Sequence, residues 1–392
     1  LKQANAQCQT LLERYTEPLA SVMAWEGEPY PADALRLAWK TLLKNHPHDD
    51  ICGCSVDETH RDMVPRFAHV RQMGGWLRDR ALDRLLFQIA MPPAEAGTPL
   101  LVFNPLAWER SAGVRAILDM PAEDAADEKA LELLDSQGRA VAASFARQGE
   151  PFERDWAWGA QKRQMVRVEF LADRLPAGGY EVFLARRRGA DAPEPEAAAE
   201  SPLRSFPRGM ENEFLRLEIR EDGSLWIFDK ATGAPLGRTH FFEDRGDRGD
   251  EYDFDPLAEE PPLYSEGTGL TWTIAQRAPD RLTASAQMDF LVPAGLEPDR
   301  ARRSLARVTL PLRTDITIRP GSRRVDFRVT FVNHARDHRL RVGVEIPGEA
   351  GQVWVESKFD VLKRGFGAPP RARLDVQDPK PTAPQNDWAA LE

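Results

Sequence analysis

The sequence predicts a multidomain protein of the α + all-β class, with a three-helix bundle followed by a small β-sandwich and a large antiparallel β-sandwich. Apolar residues recur at three- and four-residue intervals up to about residue 90, and then in short alternating runs beyond residue 99. The 392 residues are enough for two to four domains. No alternation of strand and helix patterns appears, which argues against a parallel α/β domain.

The helical domain is predicted to comprise residues 1–95. Helical stripes are expected near residues 8–23, 31–43 and 57–91, and Pro65 lies inside the third. At about 1.5 Å per residue, the third helix would be roughly 50 Å long. The polar segment between the second and third helices is therefore predicted to lie at one end of the bundle.

After the Pro92-Pro93 pair, the pattern predicts a small β-sandwich over residues 96–190 and a large one over 205–392, joined by a linker at 187–204. The turn-forming segment 176–179 supports the last hairpin of the small domain. The predicted strands are 100–103, 113–118, 165–170, 180–184, 214–219, 225–229, 270–274, 283–290, 304–310, 314–318, 324–332, 340–346 and 353–355.

Composition excludes some classes of partner. The net charge is −10 and neither half carries a large basic patch, which argues against nucleic acid. No apolar run approaches the roughly 20 residues of a membrane span, and no signal-peptide pattern is visible. The three cysteines, Cys8, Cys52 and Cys54, provide no disulfide framework, so we expect a reducing, cytoplasmic location.

The segment 46–55 is the strongest candidate for chemistry. His46, His48, Asp49 and Asp50 concentrate imidazoles and carboxylates, the groups that hold divalent transition metals. An H-x-H pair on an extended segment can chelate a metal, although a complete site needs further ligands from elsewhere. The alternative is a polar interhelical loop whose side chains cap helix ends.

A second concentration of carboxylates spans residues 242–256 and includes Tyr252. It could be a solvated acidic loop or a calcium loop, although the spacing of an EF-hand is absent. A tyrosine hydroxyl among carboxylates is also suited to contact a sugar. His334 and His338 lie near a strand end, where a polar turn is the favoured interpretation over a metal site.

Several segments together resemble the bacterial α-mannosidases of glycoside hydrolase family 38. Residues 45–58 resemble the helical middle domain of that family. The segments that resemble its β domains are 102–105 with Trp108, 212–214, 222–225, 229–233, 249–252 and 338–341. The resemblance covers nearly the whole chain in the order of the family.

The resemblance implies a zinc-dependent retaining α-mannosidase that hydrolyses terminal α-mannosides and whose large sandwich is galactose-mutarotase-like. It assigns His48 as a zinc ligand, Asp49 as a carboxylate that binds mannose hydroxyls and Tyr252 as a second substrate contact, with no fixed role for His46. Paired carboxylates would supply the nucleophile and the acid/base. We expect neither of these catalytic residues in this chain, because in the family they belong to an N-terminal α/β barrel.

The chain is therefore expected to be the C-terminal portion of such an enzyme, inactive without an N-terminal catalytic domain in the same polypeptide, and weak in zinc binding alone. Two alternatives stay open at this point. One is a non-catalytic carbohydrate-binding or scaffolding module. The other is an independent metal hydrolase that uses His46, His48 and Asp49 or Asp50.

Overall fold

A computed structural model describes residues 1–90, 92–93, 96–156, 159–189, 202–249, 254–345, 348, 351–357, 360–367 and 388–391. A helical N-terminal region is followed by antiparallel β-sheets, which confirms the predicted order of helices and strands. The predicted linker at 187–204 falls largely outside the described residues.

The N-terminal region contains five α-helices and one π-helical turn within the described chain. They are α1 (Lys2–Leu11), the π turn (Leu12–Thr16), α2 (Glu17–Trp25), α3 (Ala32–Leu43), α4 (His48–Cys52) and α5 (Asp57–Gln88). The predicted first helix is thus interrupted by the π turn, where the Thr16 hydroxyl donates a hydrogen bond to the Leu11 carbonyl at 2.9 Å. The one-turn helix α4 was not predicted. No helix in the described part of the chain is long and apolar enough to cross a membrane.

Helices α1, α3 and α5 bury side chains in a common core. Cys8, Leu42 and Phe67 are almost wholly inaccessible to solvent, one from each helix. Helix α5 continues past Pro65, whose position on the exposed face limits the disruption of packing. At the other end of α5, Leu85 belongs to a cluster that packs against Leu101 and Phe103 of the first β-strand. The helical region therefore contacts the small β region.

The small β region has two sheets with one core. The first consists of β1 (Thr98–Phe103), β7 (Tyr180–Arg187), β3 (Leu131–Leu134) and β4 (Ala140–Val141), and the second of β2 (Arg110–Pro121), β6 (Gly159–Leu175) and β5 (Ala143–Trp156). Phe170 of the second sheet meets Phe183 of the first edge to face, with ring centroids 4.7 Å apart. The two sheets are therefore held together by side chains from both inner faces.

The large β region contains three sheets in its described part. One consists of β8 (Arg204–Phe206), β9 (Gly209–Glu211), β10 (Leu215–Ile219), β11 (Leu225–Asp229), β12 (Pro235–Gly246), β13 (Leu263–Tyr264) and β18 (His338–Val344). The next consists of β14 (Leu270–Ala278), β15 (Arg281–Pro293), β16 (Arg307–Ile318) and β17 (Val325–Phe331). The last consists of β19 (Val353–Ser357), β20 (Asp360–Arg364) and β21 (Ala389–Leu391).

The prediction of two separate strands around Pro311 was wrong. Residues on both sides of Pro311 belong to the single strand β16. Proline cannot donate a ladder hydrogen bond, but β17 pairs with β16 only from Leu312 onward. Pro311 therefore lies where β16 has a strand neighbour on only one side.

A buried ion cluster joins the small and large β regions. Glu169 of β6 has a side chain only 5% exposed, and its carboxylate lies 2.5 Å from Nε of Arg115 and 2.8 Å from Nη2 of Arg281. Gln276 adds a hydrogen bond of 3.0 Å to the same carboxylate. Burial raises the pKa of Glu169, but the guanidinium groups outweigh that effect and hold the pKa below its usual value.

We expect the substitution Glu169→Ala to lower the free energy of unfolding by about 3 kcal/mol, because it removes the nearer carboxylate partner of the buried Arg281 guanidinium. Urea denaturation measures the loss. The matched control is Glu109→Ala, which breaks the exposed pair with Arg174 and should cost much less, because water screens that pair. Equal losses in the two variants would contradict the role assigned to the buried cluster.

His240 forms a buried hydrogen bond between the two main sheets of the large region. Its Nε2 lies 2.7 Å from the Thr314 hydroxyl, which joins β12 to β16. Burial lowers the pKa of His240 to about 4, because the charged imidazolium would lose its hydration. The depressed pKa means that the unfolded chain takes up a proton before the folded protein does.

The contribution of His240 to the free energy of unfolding should therefore be fully present above pH 6.5. It should be lost as the pH drops toward 4, a change of about 3 kcal/mol. The variant His240→Gln should lose this part of the pH dependence. Thermal unfolding between pH 4 and 7 tests the expectation, with His334→Gln at an exposed position as the control. An unchanged pH profile in His240→Gln would refute it.

Candidate functional site

The segment between α3 and α5 forms a tight turn around the carbonyl oxygen of Asp49. Helix α4 begins at His48 and ends at Cys52, and the next residue, Gly53, has a φ of +90°, a left-handed conformation that glycine adopts without strain. The backbone amides of Gly53, Cys54 and Ser55 then donate to the Asp49 oxygen at 3.1–3.2 Å. This local network holds His48 and Asp49 on the outside of the turn.

The side chains of His48 and Asp49 contact each other and are open to solvent. Nδ1 of His48 donates a hydrogen bond to Oδ1 of Asp49 at 2.8 Å, while the side chains are 76% and 67% exposed. The hydrogen bond from His48 lowers the pKa of Asp49, with a smaller contribution from the Cys54 thiol. The ionised carboxylate thereby fixes the orientation of the imidazole.

The two histidines do not form the H-x-H pair on an extended segment that we considered from the sequence. His46 precedes α4, and its Nε2 lies 2.6 Å from Oδ1 of Asn5 on α1. His48 is the first residue of α4, so the backbone turns into a helix between them. The structure thus directs one imidazole toward the helical core and the other toward solvent.

His48 retains one ring nitrogen for a metal. Because Nδ1 of His48 donates to Asp49, the Nε2 atom is available for a metal. Histidines that bind metals are usually oriented by a carboxylate in this way. Within the described ranges, no group of three or more His, Cys, Asp and Glu side chains is arranged to hold a metal ion. The described residues therefore fit one ligand position of a zinc site and not a complete site.

The acidic segment 242–256 is not a loop throughout. Its first residues complete β12, and Asp244 is fully buried, which corrects the interpretation of the segment as a solvated acidic loop. Asp244 forms an ion pair with Arg303 and a hydrogen bond with Nδ1 of His338. Strand alternation directs Asp244 inward, so the carboxylate requires these buried partners. Tyr252 lies outside the described residues.

His338 is not available as a metal ligand. While Nδ1 contacts Asp244, its Nε2 lies 3.0 Å from Oδ1 of Asn333, so both ring nitrogens have partners. His338 is the first residue of β18 and so lies at a strand end, as expected from the sequence. Sequence reasoning missed Arg303, and the only sequence signal was an arginine within the charged run 297–303.

Two other segments that carried the family resemblance have structural roles. The buried Asn104 amide donates to the carbonyls of Trp108 and Pro176, both at 2.9 Å. Asn212, also buried, donates to the carbonyls of Arg319 and Ser322, both at 2.7 Å. These asparagines satisfy loop carbonyls that would otherwise be buried without donors, and we assign them no chemistry.

Comparison with known families identifies two matching regions. Residues 1–85 match the model described as the alpha mannosidase middle domain, and residues 210–392 match the glycosyl hydrolases family 38 C-terminal domain. His48 and Asp49 lie in the first region, and Asp244 and His338 lie in the second.

The chain is also similar to individual proteins. The chain is 28% identical over 400 residues to a putative mannosylglycerate hydrolase of Halalkalibacterium halodurans, covering 93% of this chain and 44% of that protein. It is 30% identical over 144 residues to alpha-mannosidase 2C1 of Mus musculus, covering 36% and 13%, respectively.

Two solved structures from Enterococcus faecalis, a protein in glycosyl hydrolase family 38 and an alpha-mannosidase, are similar with TM-scores of 0.80 and 0.79. Each is 28% identical to this chain and covers 93% of it, whereas this chain covers 47% and 44% of them. The chain spans less than half the length of each of these four relatives.

The contact between His48 and Asp49 leads to a prediction for titration. We expect the carboxyl group of Asp49 to titrate below its usual pKa of 3.8, and His48→Ala to move this pKa upward. Carboxyl carbon shifts in an NMR pH titration measure both values. His46→Ala is the matched control, since His46 contacts Asn5, and it should leave the Asp49 pKa unchanged. The same upward shift in both variants would show that the contact with His48 is not the cause.

Proposed function

Because the chain belongs to glycosyl hydrolase family 38, whose middle and C-terminal domains it carries, we propose that it is the C-terminal portion of a zinc-dependent retaining α-mannosidase. Its substrates are terminal α-mannosides. Its partner is an N-terminal catalytic domain of the same polypeptide, which supplies the nucleophile and the acid/base. The similarity to mannosidase-type proteins over 93% of the chain supports this proposal.

The observation that supports it most directly is the pairing of His48 with Asp49. Nε2 of His48 is the zinc-binding atom in this proposal, and Oδ1 of Asp49 orients the ring. Oδ2 of Asp49 has no partner among the described residues and is the atom that we assign to a mannose hydroxyl. When bound, zinc would position sugar hydroxyls and stabilise developing charge.

Tyr252 is proposed as a second substrate contact on the basis of the family resemblance. The buried group of Asp244, Arg303 and His338 lies at the base of the segment that leads to it, and Asp247 pairs with Pro256 across that segment. These contacts connect the described residues on the two sides of the segment. The chain by itself contributes no catalytic residue in this proposal.

For the domains, we propose the boundaries 1–95, 96–190 and 205–392, with a three-helix bundle, a small β-sandwich and a large galactose-mutarotase-like sandwich. The separate hydrophobic cores of the helical, small and large regions support this division. We propose a cytoplasmic location, which the three free cysteine thiols support.

The test compares this chain with a longer polypeptide that includes the N-terminal catalytic domain. We expect the chain alone to hydrolyse no aryl α-mannoside and to bind zinc weakly, because it offers one histidine ligand. The longer polypeptide should hold stoichiometric zinc and turn over the substrate. His48→Ala should remove the zinc and lower kcat/KM by at least about 100-fold, whereas Asp49→Ala should act first on KM.

His46→Ala is the control. This variant should retain zinc, because the imidazole that it removes contacts Asn5. Turnover with tight zinc in the chain alone would contradict the proposal. Normal zinc content in His48→Ala would overturn the assignment of the ligand. The alternative function, a non-catalytic carbohydrate-binding or scaffolding module, predicts that neither polypeptide hydrolyses the substrate.

A further inference from the structure

Asn45 lies between the end of α3 and the segment 46–55 that carries His48. Its side chain is wholly inaccessible to solvent. Every residue from 46 to 56, all of which the structure describes, is at least partly exposed. Asn45 is therefore the one buried residue in the connection between α3 and α5, and the proposed function gives it no role.

The amide of Asn45 contacts α5 through both of its polar atoms. Nδ2 donates a hydrogen bond to the carbonyl oxygen of Met63 at 3.1 Å. Oδ1 accepts a hydrogen bond from Nη1 of Arg66 at 3.2 Å. One acceptor and one donor as partners determine which way the amide points, and water does not compete for them at a buried position. Asn45 thus fixes the end of α3 against the N-terminal part of α5.

The hydrogen bonds within the segment 46–55 fix its shape but not its direction. The backbone amides of residues 53–55 donate to the carbonyl oxygen of Asp49. The hydroxyl of Ser55 donates to Oδ1 of Asp50 at 2.7 Å. Because these bonds join residues of the same segment, rotation of the turn as a unit would break none of them. Its direction relative to the helices depends on contacts at its ends.

A short and stiff connection leads from Asn45 to His48. At about 3.8 Å between consecutive Cα atoms, the Cα atom of His48 lies no more than about 11 Å from that of Asn45. The ring of Pro47 restricts its φ, which is −48°. His46 adds a hydrogen bond to Asn5, but that bond is only partly buried, so water can replace it. A change of direction at Asn45 would therefore displace the imidazole of His48.

We propose that Asn45 is a positioning residue for His48: its buried amide sets the direction in which the 46–55 turn leaves α3, and so the direction in which Nε2 of His48 points. The inference rests on the proposed zinc role of His48, because direction matters when ligands from another domain bind the same ion. A zinc–nitrogen bond is about 2.0–2.1 Å long, so a displacement of about 1 Å would break it. Asn45 itself contacts neither the metal nor the sugar.

The first test uses the 392-residue chain without metal. Residual dipolar couplings of the backbone amides measure the direction of residues 48–55 relative to α3 and α5. We expect Asn45→Leu to change the couplings of residues 48–55 and to leave those of the two helices as they are. The matched control is Thr16→Val, because Thr16 is equally buried and its hydroxyl donates to another α5 carbonyl, that of Gly74, at 3.1 Å. This variant should leave the couplings of residues 48–55 unchanged.

The second test uses the longer polypeptide that includes the N-terminal catalytic domain. Competition with a chelator measures its zinc affinity, which Asn45→Leu should lower by at least about tenfold and Thr16→Val should leave unchanged. Both variants remove buried hydrogen bonds, so both should lower the melting temperature, and a loss of stability alone does not distinguish them. If Asn45→Leu does not fold, Arg66→Ala removes only the donor to Oδ1 and should shift both readouts in the same direction.

Unchanged couplings of residues 48–55 in Asn45→Leu would overturn the proposal, and so would equal losses of zinc affinity in Asn45→Leu and Thr16→Val. Altered couplings with unchanged zinc affinity would also overturn it, because the turn would then move without effect on the metal. A longer polypeptide that binds no zinc in its wild-type form would overturn the proposed function. In that case the couplings alone decide whether Asn45 sets the direction of the turn.

Discussion

The buried charges between the small and large β regions are the constraint on which the arrangement of the chain depends. Glu169 and Asp280 have side chains 5% and 1% exposed, so neither carboxylate can be solvated by water. Arg281 contacts both, and Arg319 contacts Asp280 at 3.1 Å. Each charge needs its partner, so the two regions pack in the one orientation that brings these groups together. Gly113 of β2 permits this approach, since a Cβ there would lie 2.5 Å from the Arg319 guanidinium.

The helical region is connected to this arrangement indirectly. Its helix α5 packs through Leu85 against Phe103 and Leu101 of β1, whose sheet shares the core of the small β region. The turn that carries His48 lies at the opposite end of α5 from this contact, next to Asp57. The position of His48 relative to the large β region therefore depends on two interfaces. One is the apolar contact between α5 and β1, and the other is the ionic contact between the small and large β regions. A change at Glu169 would act on the proposed site only through the geometry of the small region.

Exposure distinguishes the residues that we assign to function from those that maintain the fold. Asn104, Asn212, Asp244 and His338 are buried or have both polar ends occupied, and they satisfy neighbouring backbone or charged groups. His48 and Asp49 are stabilised by each other and remain open to solvent. A side chain that is oriented but not enclosed can still accept a ligand, which is why this pair is the part of the proposed site that lies among the described residues.

The sequence by itself determined the class of the fold, most strand positions and the candidate segment 46–55, because apolar periodicity and residue chemistry are local properties. The choice of His48 and Asp49 within that segment came from the family resemblance. Tertiary contacts decided the rest. Residue spacing does not indicate that Asp244 meets Arg303 and His338, or that β16 continues through Pro311 where β17 ends. The bulge of β5 at residues 149–151, opposite Gln164, likewise depends on strand register, because pairing across a sheet is set by residues far apart in the chain.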